Sequence, residues 1–216
     1  MLLADLDHDG DIDVAFLASQ LAQDVINAAG IPHMVVQLFW NQGGAQGGTQ
    51  GTYVLDAGGP QAPGFVTGSA GASCSSMVAA DFNGDEAIDV LLVCNDRYGF
   101  NVDYYDEATY GFGTSLFLGI GDGTFTVADL SSGDPLLPFF ALGTHRFAYG
   151  VFACDIDSDG DVDLAFGTAD NTNQNAIALY KNDGNAVFTE VTGHGLAAGN
   201  VVAVRFLNGS IKPIDR

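Results

Sequence analysis

The chain has 216 residues, 47% of them hydrophobic, with 29 glycines and a formal net charge of −21 from 27 acidic and 6 basic residues. That length and apolar content support a buried core and exclude a wholly disordered chain. The acidity excludes nucleic acid as a partner, because phosphate binding needs Lys and Arg, and disfavours an anionic membrane surface.

The chain opens on "MLLA" (1–4), which reads as a clipped first strand and lacks the basic and long apolar segments of a signal peptide. No apolar run reaches the length of a membrane span, so no membrane insertion is expected. Next comes "DLDHDGDIDVAFL" (5–17), an acidic turn that runs straight into a strand. Residues 19–33 fit a short helix. "VVQLFWNQGGAQGGTQGTYVLD" (35–56) is a strand, a glycine-rich turn and a second strand, the pattern of a hairpin. The Gly-, Pro- and Ser-rich stretch 57–74 is a connection.

The same order then recurs. "DFNGDEAIDVLLV" (81–93) is followed by a polar, aromatic insertion at 95–113 and a hairpin at 114–130. After a connection at 131–145 come "DIDSDGDVDLAFG" (155–167) and a hairpin at 175–192. "VVAVRFLNGSIKPIDR" (201–216) echoes the motif but has Arg205 where its first Asp is due, so no metal is expected there. The expected organisation is a single repeat domain over 1–216. A first, N-terminally truncated repeat spans 1–75, a second 76–148 and a third 149–200, and a degenerate fourth starts at 201–216. Each unit reads as about four short strands. A four-stranded unit recurring at tens of residues is the pattern of a propeller blade or another repeat array, whose units bury their faces by stacking.

The acidic segments have the form D-x-D-x-D-G-x-x-D. Their first, third, fifth and ninth positions are Asp5, Asp7, Asp9 and Asp13 in the first copy and Asp155, Asp157, Asp159 and Asp163 in the third. Alternate spacing lets the chain wrap a cation. The sixth-position glycine (Gly10, Gly160) permits the sharp turn, and the seventh residue (Asp11, Asp161) offers its backbone carbonyl. Hard oxygens in this number suit Ca²⁺, while the absence of soft ligands argues against zinc or copper. In the second copy Asp81, Asn83, Asp85 and Asp89 remain, but Gly84 stands fourth and Glu86 sixth, so a weaker or distorted site is expected. The plain alternative is a solvated acidic turn. Recurrence before an apolar strand each time favours a cation cage. An EF-hand needs Glu at the twelfth position, where this chain has Phe16, Leu92 and Phe166.

The copies "ADLDHDGDIDVAF", "ADFNGDEAIDVLL" and "CDIDSDGDVDLAF", with "GDGTFTVADL" and "NDGNAVFTEVT", resemble FG-GAP/VCBS repeats, the repeats of integrin α-subunit-like β-propellers. The resemblance implies an all-β fold of four-stranded propeller blades. It places calcium ligands at Asp5, Asp7, Asp9, Asp11 and Asp13, at Asp155, Asp157, Asp159, Asp161 and Asp163, and at Asp81, Asn83, Asp85, Ala87 and Asp89. It also implies an extracellular or cell-surface setting and a protein or carbohydrate ligand. Such propellers close with more blades than this chain carries. The expectation is therefore an open arc, whose missing blades come from a longer chain or from self-association.

No G-x-S-x-G, H-E-x-x-H or phosphate-binding glycine loop occurs, so no catalytic residue is expected. The function expected is a non-catalytic, calcium-binding interaction or adhesion module. The alternative is the scaffold of a secreted enzyme such as a polysaccharide lyase or hydrolase. His8, His33, His145 and His194 are scattered and read as surface residues. Tyr98, Tyr104, Tyr105 and Tyr110 crowd the second insertion, as a loop folded on itself or as a contact surface. Cys74, Cys94 and Cys154 form no disulfide framework. They read as small buried apolar residues, with at most one pair able to bridge.

Overall fold

The structure is a computed structural model. It describes residues 1–19, 34–44, 47–56, 72–96, 113–128, 147–169, 175–192, 204–207 and 210–213. The helix expected at 19–33 lies outside them except for Ser19, which ends a strand, and the 95–113 insertion with its four tyrosines lies outside them except for Asn95 and Asp96, which end a strand, and Gly113, which begins one. No helix long and apolar enough to cross a membrane occurs among the described residues.

These residues are all-β, with no α-helix among them. Three four-stranded antiparallel sheets follow one another along the chain. The first joins β1 (Leu2–Ala4), β2 (Asp13–Ser19), β3 (Met34–Asn41) and β4 (Tyr53–Leu55) in sequence order. The second repeats this with β5 (Ala72–Ala80), β6 (Asp89–Asp96), β7 (Gly113–Gly119) and β8 (Phe125–Val127). The third uses β9 (Phe147–Cys154), β10 (Asp163–Ala169), β11 (Asn175–Asn182) and β12 (Phe188–Glu190). A two-stranded ribbon follows, from β13 (Val204–Leu207) and β14 (Ser210–Pro213). Each acidic segment joins the first two strands of its sheet, and each glycine-rich turn joins the last two.

The sheets stack face to face because their second strands are apolar on both sides. In β6, Val90 to Val93 are all essentially sealed from solvent. Val90 and Leu92 pack with Ala15, Val36 and Leu38 of the first sheet. Leu91 and Val93 turn the other way, onto Val151, Leu164 and Phe166 of the third. A strand that alternates sides at every residue can serve two neighbours only if both faces are apolar. The third sheet keeps the pattern. Leu164 and Phe166 face the second sheet, while Ala165 joins Ile177 and Leu179 on the far side. In the first sheet Ala15 faces the second, and Phe16 on the opposite side is 44% exposed.

The second residue of each acidic loop belongs to the same stacking. Leu6 sits in the core between the first two sheets, Phe82 in the core between the second and third, and Ile156 against the far face of the third. Phe82 meets Phe188 edge-on at 5.8 Å between ring centroids. The loops are thus pinned from within by an apolar plug.

Candidate metal centres

The three acidic loops share one hydrogen-bonded scaffold. The first Asp caps its loop: Asp5 accepts from the N–H groups of Asp9 and Gly10, Asp81 from Gly84, Asp85 and Glu86, and Asp155 from Ser158, Asp159 and Gly160. The fifth accepts from the seventh residue's N–H, at 2.8 Å for Asp9, 2.9 Å for Asp85 and 3.0 Å for Asp159. These bonds draw carboxylates inward around a tight turn without any lysine or arginine in the loop.

The ninth Asp is the tie between loop and sheet. Asp13 accepts from the N–H of Leu6 at 3.0 Å and of Asn41 at 2.9 Å. Asp89 accepts from Phe82 and Gly119 at 2.8 and 2.9 Å, and Asp163 from Ile156 and Asn182 at 2.7 and 2.8 Å. All three are buried. Burial raises their carboxyl pKa values, and the backbone N–H bonds and neighbouring Asp charges only modify that rise. Asp89 moves furthest, from an ordinary 3.8 to about 6.

A pKa raised in the folded state means that the native chain holds its proton more tightly than the unfolded chain does. The stability this contributes is complete below pH 3.8 and is lost as pH rises through about 6. In chelator the urea midpoint should therefore fall between pH 4.5 and roughly 7, and a saturating divalent cation should flatten that fall. A midpoint that climbs with pH in chelator would contradict this.

Two of the loops bring carboxylate oxygens together as a cation would require. Asp5, Asp7 and Asp13 form one triad and Asp155, Asp157 and Asp159 another, each with one oxygen per residue within 4.8 Å of the others. Oxygens bound to one Ca²⁺ at 2.3–2.6 Å lie no more than about 5 Å apart, so both donor sets fit such an ion. In the second loop no such triad forms among the described residues. There the Asn83 amide donates to Asp85 Oδ2 at 2.9 Å.

The remaining candidates lie beside these triads. Asp9 spends Oδ1 on the turn, and Asp163 has both oxygens on backbone N–H groups. The seventh side chains turn away. Asp11 accepts from Gln50 Nε2 at 2.8 Å and lies so close to Gly43 that a Cβ there would stand 1.9 Å from its Oδ2. Asp161 abuts Gly184 in the same way, with a virtual Cβ 2.8 Å from its Oδ1. Ala87, at this position in the second loop, is buried near Gly121. The seventh side chains thus pack on the hairpin turn of their own sheet.

Backbone sign explains the second loop's altered sequence. The fourth and sixth positions have positive φ in every loop: His8 59° and Gly10 93°, Ser158 67° and Gly160 103°, Gly84 78° and Glu86 72°. The second loop moved its glycine from the sixth position to the fourth and left Glu86 in the left-handed region. A non-glycine residue pays about 1–2 kcal/mol there, partly offset by the greater unfolded-state freedom of glycine. Glu86→Gly should stabilise the chain by about 0.5–1 kcal/mol in urea unfolding. A loss of stability would mean that the Glu86 side chain itself supports the loop.

Three residues at the sites carried no signal strong enough to single them out. Asn41 and Asn182 end the third strands, and their amides donate to the eighth-position carbonyls of Ile12 at 3.2 Å and Val162 at 3.1 Å. Asn182 also donates to Phe82 O at 2.8 Å, tying the third sheet to the loop of the second. Only the shared Asn in "WNQGG" and "KNDG" hinted at this. Lys181 is the third. Its ammonium is paired with Asp157 and lies 3.9 Å from Asp159 Oδ2, so the third loop carries an internal cation on its triad. That hydrogen bond lowers the Asp157 pKa and raises that of Lys181.

Neighbouring sheets complete the surroundings of the loops. The turn of the second sheet reaches the first loop, with Gly123 beside Asp7 and Gly121 beside His8. The turn of the third reaches the second loop, where Ala186 N–H donates to Phe82 O at 2.8 Å. The fold and these loops define an all-β protein of like, stacked sheets with two acidic triads that can hold a metal ion. No protein-family model matches the chain, and no characterised protein matches it in sequence.

Proposed function

We propose that the chain is a calcium-stabilised, non-catalytic interaction module whose sheets are propeller blades of the FG-GAP/VCBS type, acting outside the cell on a protein or carbohydrate ligand. The observation that carries the proposal is the shared loop scaffold, which in two copies converges three carboxylates. Capping by backbone N–H groups preorganises the oxygens, so a cation meets them with little further ordering. The donors are hard and anionic, and their spread suits the loose coordination of Ca²⁺ better than the strict octahedron of Mg²⁺. Stacking through both faces of β6 supports the blade assignment, as does the placing of each turn on the preceding loop.

The exposed Phe16 face corresponds to the faces that Leu92 and Phe166 bury elsewhere. It would receive a further sheet of the same kind, from a longer chain or from self-association. Isothermal titration of chelator-treated chain should give calcium binding at two sites, with Mg²⁺ at the same concentration competing weakly. Asp7→Asn should abolish one site and leave the other. Binding of Mg²⁺ as tight as that of Ca²⁺, or no calcium heat at all, would overturn the calcium reading.

A further inference from the structure

The backbone register of the second sheet puts two of the three cysteines at directly opposed positions. Cys74 on β5 and Cys94 on β6 are directly opposed Cα partners in the antiparallel ladder. Opposed residues of such a pair stand about 4.5 or 5.5 Å apart between Cα atoms, according to whether they exchange hydrogen bonds. Both separations fall within the range of about 4.4–6.8 Å that a disulfide spans. Opposed positions also share one face of a sheet. Cys154 has a different place. It ends β9 opposite Asp163, is half-buried, and is a free thiol.

We propose that Cys74 and Cys94 form a cross-strand disulfide, and that Cys154 remains a thiol. The position gives the bond a task. The far end of the β5–β6 hairpin is already held by Asp89, whose carboxylate ties Phe82 and Gly119. The cysteines sit at the open end, next to a register shift between Cys74 and Ser76 and two residues before β6 ends at Asp96. The third sheet has a register shift at the matching place, where Thr168 opposes Ala148. A bulge leaves one residue unpaired and weakens the ladder locally. In the second sheet a covalent link would restore the pairing just beyond it.

Oxidation removes two protons and two electrons from the two thiols. A small-molecule disulfide such as oxidised glutathione accepts them and leaves as two thiols, by way of a mixed disulfide on one of the cysteines. The reaction needs no residue of the acidic loops and stands whether or not those loops bind calcium.

The test is a peptide map of the folded, full chain equilibrated with oxidised glutathione, blocked with an alkylating agent and digested unreduced with a glutamate-specific protease. Cleavage after Glu86, Glu107 and Glu190 puts Cys74 in peptide 1–86, Cys94 in 87–107 and Cys154 in 108–190. The expected product is 1–86 joined to 87–107, with 108–190 alkylated. Reduction should also lower the melting temperature by roughly 5–10 °C, a loss absent from Cys74→Ser. Three alkylated thiols, or a link to 108–190, would overturn the assignment, as would an intramolecular bridge in Cys74→Ser. If that variant does not fold, the peptide map of the unaltered chain decides alone.

Discussion

Asp163→Ala will destabilise the chain by about 2–6 kcal/mol, because two backbone N–H groups lose their acceptor inside the protein and each costs about 1–3 kcal/mol unpaired. Both bonds are short, from Ile156 and from Asn182, and the carboxylate that receives them has no exposed surface. The same bonds join the start of the acidic loop to the end of β11, so the loss loosens the loop and the hairpin together. The comparison variant is Asp159→Ala. Asp159 is exposed and accepts from the Asp161 N–H within its own loop. Urea unfolding in chelator separates this structural role from metal binding. If Asp163→Ala costs no more than Asp159→Ala there, the ninth Asp is not the tie described above.

Saturating calcium will raise the melting temperature strongly over that in chelator. A ligand at a hundred times its dissociation constant adds about 2.7 kcal/mol per site to the native state, so two occupied loops add about 5 kcal/mol. Relief of repulsion among the carboxylates is part of that gain. The two loops should not be equal. Lys181 already occupies the third triad through Asp157, whereas the corresponding strand positions in the first and second sheets are Trp40 and Leu118. Calcium must displace the ammonium, so the first loop should bind more tightly than the third. Lys181→Leu should tighten the third site several-fold and leave the first unchanged. Equal melting temperatures in calcium and chelator would sink the metal assignment. A weaker third site in Lys181→Leu would show that the lysine helps to hold the loop rather than competing for it.

Much of this was legible in the chain itself. The alternation of acidic turn, apolar strand and Asp-Gly or Gly-Gly hairpin repeats three times, and local chemistry suffices to make strands and turns of it. The first and third Asp positions could be read from spacing, because within a short loop sequence distance sets spatial distance, whereas the third partner is Asp13 at the ninth position in the first loop and Asp159 at the fifth in the third. The positive φ of the sixth position was legible as a glycine in the first and third loops, whereas that of His8 and Ser158 at the fourth was not. The sixth position was obscured in the second loop, where the glycine moved two places and only the backbone reveals Glu86 in the left-handed region.

Local chemistry along the chain is thus enough for the all-β character, the repeated unit and the acidic loops. How those parts divide their work depends on the packing of the sheets. Among the ninth-position carboxylates Asp13 joins a triad of the described residues while Asp89 and Asp163 do not, and each of the three holds an N–H group of a distant strand end, whose position is set by sheet register. Lys181 lies 24 residues beyond Asp157 in a strand of ordinary composition, and pairing of β10 with β11 brings it to the loop. Cys74 and Cys94 are likewise set opposite one another only by the ladder between β5 and β6. A charge or thiol acts over a few ångströms, whereas the chain separates these partners by many residues. Local pattern can name the groups, but only the packing of strands decides which of them meet.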